Sequence, residues 1–466
     1  MSSEDENETS GWDVASTKKM MSYSLGFLIS ARIGGGVSRI LFYFYEVEAG
    51  LPVAMLGLAF IIFALWNMLN DPFIGYLTDK SFKWSEKWGF RFPWIIFSVG
   101  PMLICYLFLY LPPERDPSNP WPLFWYFLIM TCLLDFFFSI YTTHLSAGYT
   151  VHFRSDYERR RASAINFIVP GILGFFQGLI FPLVYVYGDK NSVFLAVLIT
   201  TIINIVWVIL LIPGIRESEE LKKRFIRGYE EAKRESYWKT MNFAFRRKNF
   251  LISLLVFLLW ATAWGLYLAS GIYFVKDILR MPLSVAVYIG IAAFIGFVGF
   301  IPFWTNVAKR LGHVKTMKFG LLLWAIFITP AMWITTLWEA ILWSFIGGIA
   351  FGGAALMIGP IAADVYDECT AETGKHQEAM FEGIRTFVLR FALIIQAAVF
   401  TTVHIFTGYN PDPKALQTPL AQLGIRIHMA LIPAILILIA FLIMLKYDLE
   451  GEKRESIKRI MKEKGL

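Results

Sequence analysis

The sequence is poor in cysteine, charge and clustered histidine. Three cysteines, Cys105, Cys132 and Cys369, lie far apart in 466 residues. Their spacing fits no metal or redox motif and gives no disulfide scaffold, so they read as small apolar packers. Asp, Glu, Lys and Arg make up 17% of the chain, against about 25% in an ordinary soluble domain. The six histidines, at 144, 152, 313, 376, 404 and 428, show no H-x-x-x-H spacing and have no acidic pair beside them. A membrane-embedded enzyme would need a nucleophile–base pair or a metal cluster, and a membrane sensor would usually carry an added soluble domain. Neither is legible. The acidic, polar start MSSEDENETSGWDVASTKK has no apolar core of a secretory signal, and reads as a short tail.

Apolar residues are abundant, at 56%, with aromatics at 17%. A chain this apolar needs lipid around it. A spanning helix takes about 20 mostly apolar residues, and such runs fall near 20–45, 53–78, 94–112, 122–150, 162–187 and 193–214, then near 249–275, 284–308, 316–336, 338–362, 381–407 and 426–446. The expected class is an all-α membrane protein of twelve transmembrane helices in two six-helix bundles, 20–214 and 249–446. A charged segment, 215–248, separates them and reads as a solvated linker helix. Residues 1–19 form a tail, and 447–466 a basic amphipathic tail suited to anionic headgroups. With the N-terminus inside, 33 of the 43 Lys and Arg fall on the cytoplasmic side and six on the other. This asymmetry places both termini in the cytoplasm of a plasma (inner) membrane. It also explains the +7 net charge without a nucleic-acid partner. The expected partners are a small-molecule substrate and the bilayer, with a monomer as the working unit.

Ionisable residues inside spans are costly and mark function by default. Arg32 and Arg39 share a face of the first span, Asp71 lies in the second, and Asp135 and His144 lie in the fourth. Pairing is expected because an unpaired charge in low dielectric costs several kcal/mol. Arg32 and Arg39 are therefore the expected partners of Asp71 and Asp135. Glu382 and Arg385 sit at the edge of the eleventh span, with Arg390 deeper. Trp260, Trp264 and Tyr267 are aromatics that could face a solute or simply pack. Gly347-Gly348 and Gly352-Gly353 suit close helix packing or flexing.

Three motifs carry a family resemblance. Asn70-Asp71-Pro72-x-x-Gly75-x-x-x-Asp79-Lys80 is followed by Phe92-Pro93-Trp94. Asp156-Tyr157-Glu158-Arg159-Arg160 follows the fourth span. Ala363-Asp364-Val365-x-Asp367-Glu368 precedes Thr373-Gly374-Lys375 and Glu378-x-Met380-Phe381-x-Gly383-Ile384. In this order the chain resembles the glycoside–pentoside–hexuronide:cation symporters of the major facilitator superfamily. The resemblance implies the major facilitator fold and alternating-access symport of a small glycosidic or anionic solute coupled to Na+ or H+, with no other cofactor. In that family the cation site uses carboxylates of spans 2 and 4. Asp71 matches one, Asn67 stands at the other span-2 position, and Thr142 or Thr143 stands at the span-4 position. Two of three acids are thus neutral oxygens, which leaves Na+ and H+ both open. The family's sugar-holding acid in span 1 falls at Ala31, beside Arg32. An arginine there favours an anionic group, with Asp135, His144, Trp264 and Arg390 as further candidate substrate residues. Gly75, Asp79, Lys80, Asp364 and Arg385 correspond to a cytoplasmic gate. The same superfamily branch contains lysophospholipid carriers, so an amphiphile is the alternative solute.

Overall fold

A computed structural model describes residues 14–78, 85–153, 156–219, 222, 237–374 and 378–464. Helix dominates it and runs through Pro101, Pro170 and Pro213, because a backbone in lipid must satisfy its own hydrogen bonds. Twelve membrane-level helices are found among the described residues. In the first half they are α1 (Thr17–Glu48), α2 (Val53–Thr78), α3 (Phe92–Phe108), α4 (Trp121–His152), α5 (Tyr157–Val184) and α6 (Lys190–Ile215). In the second they are α7 (Lys248–Ile278), α8 (Leu283–Leu311), α9 (His313–Met332), α10 (Leu337–Thr373), α11 (Met380–Thr407) and α12 (Pro419–Met444). A last helix, α13 (Glu452–Lys464), follows. Eleven of the twelve are long and apolar enough to cross a membrane, and α3, with 17 residues, is the short one.

The chain forms two compact units. One comprises Met1–Met55 and Leu65–Lys233, the other Leu56–Ala64 and Arg234–Leu466. In the first, α1 packs on α5 and α6, and α3 pairs with α4. In the second, α10 lies between α8 and α9, while α12 packs on α7 and α9. The expected linker helix lies mostly outside the described residues. Of 215–248, the helix Tyr237–Phe245 is described.

Local chemistry sets the boundaries. The break between α9 and α10 is a 3-10 turn, Thr329–Met332, followed by a capping box in which Thr336 and Glu339 satisfy each other's backbone N–H. The first N–H groups of α3 are satisfied from a distant segment. Glu217 accepts from the backbone of Phe90, Arg91 and Phe92 at 2.8, 2.6 and 3.1 Å. A carboxylate there neutralises the positive end of the helix. In the second unit α13 docks on the end of α10. Arg454 donates to the buried Asp364 at 2.8 Å, Lys453 lies 3.3 Å from Glu368, and Ile457 is buried. The basic tail is therefore packed on protein through Ile457, while Ile460 stays exposed.

Candidate functional site

The deepest polar cluster of the first unit joins α2 to α4. Asn67 and Asn70 are three residues apart and share a face of α2. Both donate side-chain N–H groups to the Asp135 carboxylate, Asn67 to Oδ1 and Asn70 to Oδ2, the latter at 3.0 Å. All three residues are buried, at 2%, 3% and 5% exposure. Each amide nitrogen gives one of its two N–H groups to the carboxylate. The two amide oxygens, Asn67 Oδ1 and Asn70 Oδ1, are buried and have no hydrogen-bond partner. Buried oxygens without donors are costly. A carboxylate with carbonyl oxygens is also the donor set that hard cations choose. The next residue, Asp71, continues α2, and its side chain lies outside the described residues, as does that of Arg39.

Arg32 takes a different position from the one expected. It donates to the Gly174 carbonyl of α5 at 3.0 Å, and forms no ion pair with Asp135. Gly174 and Gly178, one turn apart, make the room. A Cβ at Gly178 would lie 3.2 Å from Arg32 Nη1. The Arg32 Nε is buried and unpartnered. A guanidinium carries five donors, and the Gly174 carbonyl takes one of them. Asn67 and Asn70 reach Asp135 from α2, and the expected pairing with Arg39 lies outside the described residues.

The other candidates scatter. Thr142 donates to the Phe138 carbonyl at 2.9 Å within its own helix, and Thr143 is half-buried beside it. Asp135 precedes Thr142 by seven residues, about 10 Å along the axis, and it is Asp135 that meets Asn67. His144 is fully buried, lies flat on Trp94 with ring centres 5.6 Å apart, and has Nδ1 3.2 Å from Arg91 Nη1. Arginine can only donate, so Nδ1 accepts and the proton sits on Nε2. In the second unit Trp264 stacks on Phe351 at 4.3 Å and Tyr267 at 6.0 Å, inside an aromatic slab that includes Trp324. Its faces are spent on packing. Arg390 marks the joint between the helical segments Glu378–Leu389 and Phe391–Thr407.

Among the gate candidates, Asp364 is bound by Arg454 and has His313 Nδ1 at 3.8 Å. Arg385 pairs with Glu382 and lies over the Phe257 ring at 5.6 Å. Gly75 lies in α2 with its surroundings outside the described residues, where Asp79 and Lys80 also fall. The residue sequence reasoning left out is Asn70. Its signal was available, since it stands on the Asn67 face inside the Asn-Asp-Pro motif.

Membrane-length helices in two units, with a buried carboxylate–carboxamide cluster and a half-buried arginine inside one of them, belong to a secondary transporter of the major facilitator class. The chain belongs to the MFS/sugar transport protein family, whose model matches residues 21–451; its members move solutes and are not enzymes. It is similar to the sodium-dependent lysophosphatidylcholine symporter 1-A of Danio rerio, at 23% identity over 440 residues, 84% of this chain and 78% of the relative. It is also similar to the uncharacterized symporter YnaJ of Bacillus subtilis, at 22% identity over 449 residues, 94% of this chain and 93% of the relative. Among solved structures the nucleoside transporter NupG matches with a TM-score of 0.61 at 13% identity, covering 93% of this chain and 100% of that one. That likeness speaks for the fold alone.

Proposed function

We propose that this protein is a sodium-coupled symporter of a solute with an anionic group, and that lysophospholipids are the solute class to test first. The observation that carries the reading is the pair of unpartnered amide oxygens beside the Asp135 carboxylate. Asn67, Asn70 and Asp135 would hold Na+, with Asp71 as a further carboxylate on the same helix. Na+ fits better than a proton because the Asp135 oxygens already accept N–H groups, which favours the ionised carboxylate. Bound Na+ supplies the charge that makes solute binding and ion binding favour the same state. Arg32 reads the anionic group by forked hydrogen bonds from a mostly buried site. The relatives include a lysophosphatidylcholine symporter, and this supports an amphiphile. The commitment of Trp264 to packing counts against a ring-stacked sugar. The protein would sit in the plasma membrane as a monomer with both termini in the cytoplasm, in keeping with the Lys and Arg asymmetry.

The test is thermal melting of the purified full-length protein in NaCl against choline chloride, with lysophosphatidylcholine, a glucuronide and a neutral disaccharide added in turn. A ligand at a hundredfold excess over Kd stabilises by about 2.7 kcal/mol. Sodium should raise the midpoint of wild type, and Asp135→Asn should remove that rise while leaving the choline midpoint and gel-filtration profile near wild type. Arg32→Gln should keep the sodium response and lose the solute response. A sodium response that survives in Asp135→Asn would sink the cation site, and stabilisation by the neutral disaccharide alone would sink the anion reading.

A further inference from the structure

The second unit gathers positive charge at one turn and supplies no acid for it. No Asp or Glu occurs between Asp277 and Glu339, whereas Arg280, Lys309, Arg310, Lys315 and Lys318 do. The last four flank Gly312, the single residue that joins α8 to α9. Gly312 has φ +84°, and a Cβ on it would meet nothing within 4 Å, so the turn is open. Lys309 and Arg310 stand in the last turn of α8, and Lys315 in the first turn of α9. All three are exposed, and among the described residues none meets a carboxylate. The acids nearest the turn are engaged elsewhere. Asp364, which faces His313 Nδ1 at 3.8 Å, takes Arg454 at 2.8 Å. Glu450, beyond α12, takes Lys318 at 3.5 Å, which also puts the turn on the side of the membrane that holds the C-terminus.

Other cations of the same unit are treated differently. Arg247, Lys248, Arg385 and Lys453 each meet a carboxylate. α13 intersperses its cations with Glu452, Glu455 and Glu463. Helix electrostatics account for only part of the α8–α9 arrangement. Lys309 and Arg310 offset the negative end of α8. Lys315 stands at the positive end of α9, where a cation is unfavourable, and that first turn has neither an acid nor a side-chain cap. Three like charges around one turn repel unless a group of opposite sign lies between them.

What lies beneath the cations identifies that group. Phe303, Asn306 and Arg310 have the i, i+3, i+7 spacing of one face of α8, and all three are exposed. Phe319 follows Lys315 by four residues on one face of α9, and both are exposed. Leu311, between the two stripes, is exposed as well. Each helix therefore sets an apolar ring below its cation, about 6 Å deeper on α9 and about 10 Å deeper on α8. On α8 the Asn306 carboxamide lies between the two. A bilayer passes from headgroup to hydrocarbon over a similar depth, about 5–8 Å in each leaflet. A soluble anion answers the charge alone. A lipid answers charge, carboxamide and rings together.

We propose that the α8–α9 turn is a binding site for an anionic phospholipid of the leaflet on the C-terminal side, with Lys309, Arg310 and Lys315 on the headgroup, Asn306 at the ester level and Phe303 and Phe319 against the acyl chains. The site is independent of the sodium and solute reading, and its test uses neither. Purified full-length protein in neutral detergent and ammonium acetate is titrated with dioleoyl phosphatidylglycerol or dioleoyl phosphatidylcholine and read by native mass spectrometry. Wild type should hold one phosphatidylglycerol in preference to phosphatidylcholine, and the preference should shrink as the salt is raised. Lys309→Gln, Arg310→Gln and Lys315→Gln together should weaken that lipid by about a hundredfold, the combined effect of three cations at an anionic headgroup. Lys446→Gln, Lys458→Gln and Arg459→Gln together remove the same charge from other exposed positions of the unit, and should leave the lipid bound. A photoactivatable phosphatidylglycerol in liposomes should cross-link wild type within 303–319, an arm that needs no variant to fold. Equal affinity of wild type for the two lipids, equal loss in the two variants, cross-links confined to other segments, or displacement of the lipid by an equal concentration of soluble glycerophosphoglycerol would each overturn the proposal.

Discussion

Asp448 shows how much one side chain outside the membrane-level helices can be made to do. Lys248 donates to it at 2.6 Å, Lys453 at 2.6 Å and Asn249 at 3.0 Å. These bonds, Lys248 first, hold its carboxyl well below the usual carboxylate range against the opposing effect of partial burial. A depressed folded-state value means that the unfolded chain binds the proton first. The stabilisation is therefore complete above the ordinary aspartate pKa of about 3.9 and is lost as pH falls below it. The difference in melting midpoint between wild type and Asp448→Asn should stay constant from pH 8 to pH 5 and shrink below pH 4. It should also shrink in high salt, because the side chain is 45% exposed. A difference unchanged at pH 3 would contradict the account. Residue-scale reading of the sequence singled out Arg32 and Asp135 in the first unit, because charge in an apolar run is conspicuous. It did not find that Arg32 meets the Gly174 carbonyl or that Asn67 and Asn70 meet Asp135. Asp135 sits 68 residues from Asn67, and nothing local in either stretch says that the two amides of α2 will reach it.

Elements were far more legible than pairings. Hydropathy alone places all twelve helices, since a run of about 20 apolar residues has one stable answer in lipid. The least distinct boundary, within 316–362, is resolved by polar caps that no hydropathy window weighs. What sequence left open was whether the glycine doublets of α10 flex or pack. At Gly348 a Cβ would fall 2.3 Å from the Ala293 carbonyl of α8, and at Gly296 one would fall 2.2 Å from the Phe345 carbonyl of α10. The two helices therefore touch backbone to backbone, where weak Cα–H···O contacts and close packing hold them. A Cβ at Gly347, the adjacent residue, would meet nothing within 4 Å. Gly348→Ala should destabilise by about 1–3 kcal/mol, the usual cost of overpacking a tight contact. Gly347→Ala should stay within about 0.5 kcal/mol of wild type. The measurement is the melting midpoint of both variants side by side. Equal loss in both would mean that backbone freedom in α10, and not contact with α8, is what the glycines supply.

At the scale of the whole molecule the two units carry one device twice. Tyr43-Phe44 opens a π-turn that ends at Leu51-Pro52, and Tyr273-Phe274 opens another that ends at Met281-Pro282. The backbone bonds correspond one for one. Ala49 N donates to Phe44 O at 2.8 Å and Leu279 N to Phe274 O at 3.0 Å, while Leu51 N donates to Tyr45 O at 2.8 Å and Met281 N to Val275 O at 3.2 Å. The repeat is hard to see in sequence because few identities survive and the acids, Glu48 and Asp277, are out of step by one position. One position makes it physically testable. Both turns need a left-handed residue, filled by Gly50 at φ +75° in the first and by Arg280 at φ +54° in the second, where Arg280 is the one non-glycine at positive φ among the described residues. A side-chain-bearing residue in that region costs about 1–2 kcal/mol, of which glycine's greater freedom in the unfolded chain gives back about 0.5–1 kcal/mol. Arg280→Gly should therefore stabilise the protein by up to about 1 kcal/mol. Gly50→Arg should destabilise it by more than that difference, because a Cβ there also lies 2.6 Å from Arg115 Cδ. Opposite signs in the two melting midpoints would show that the turns are equivalent and that Arg280 is held under strain. A fall in stability on Arg280→Gly would instead mean that its guanidinium contributes more binding energy at that turn than the backbone loses.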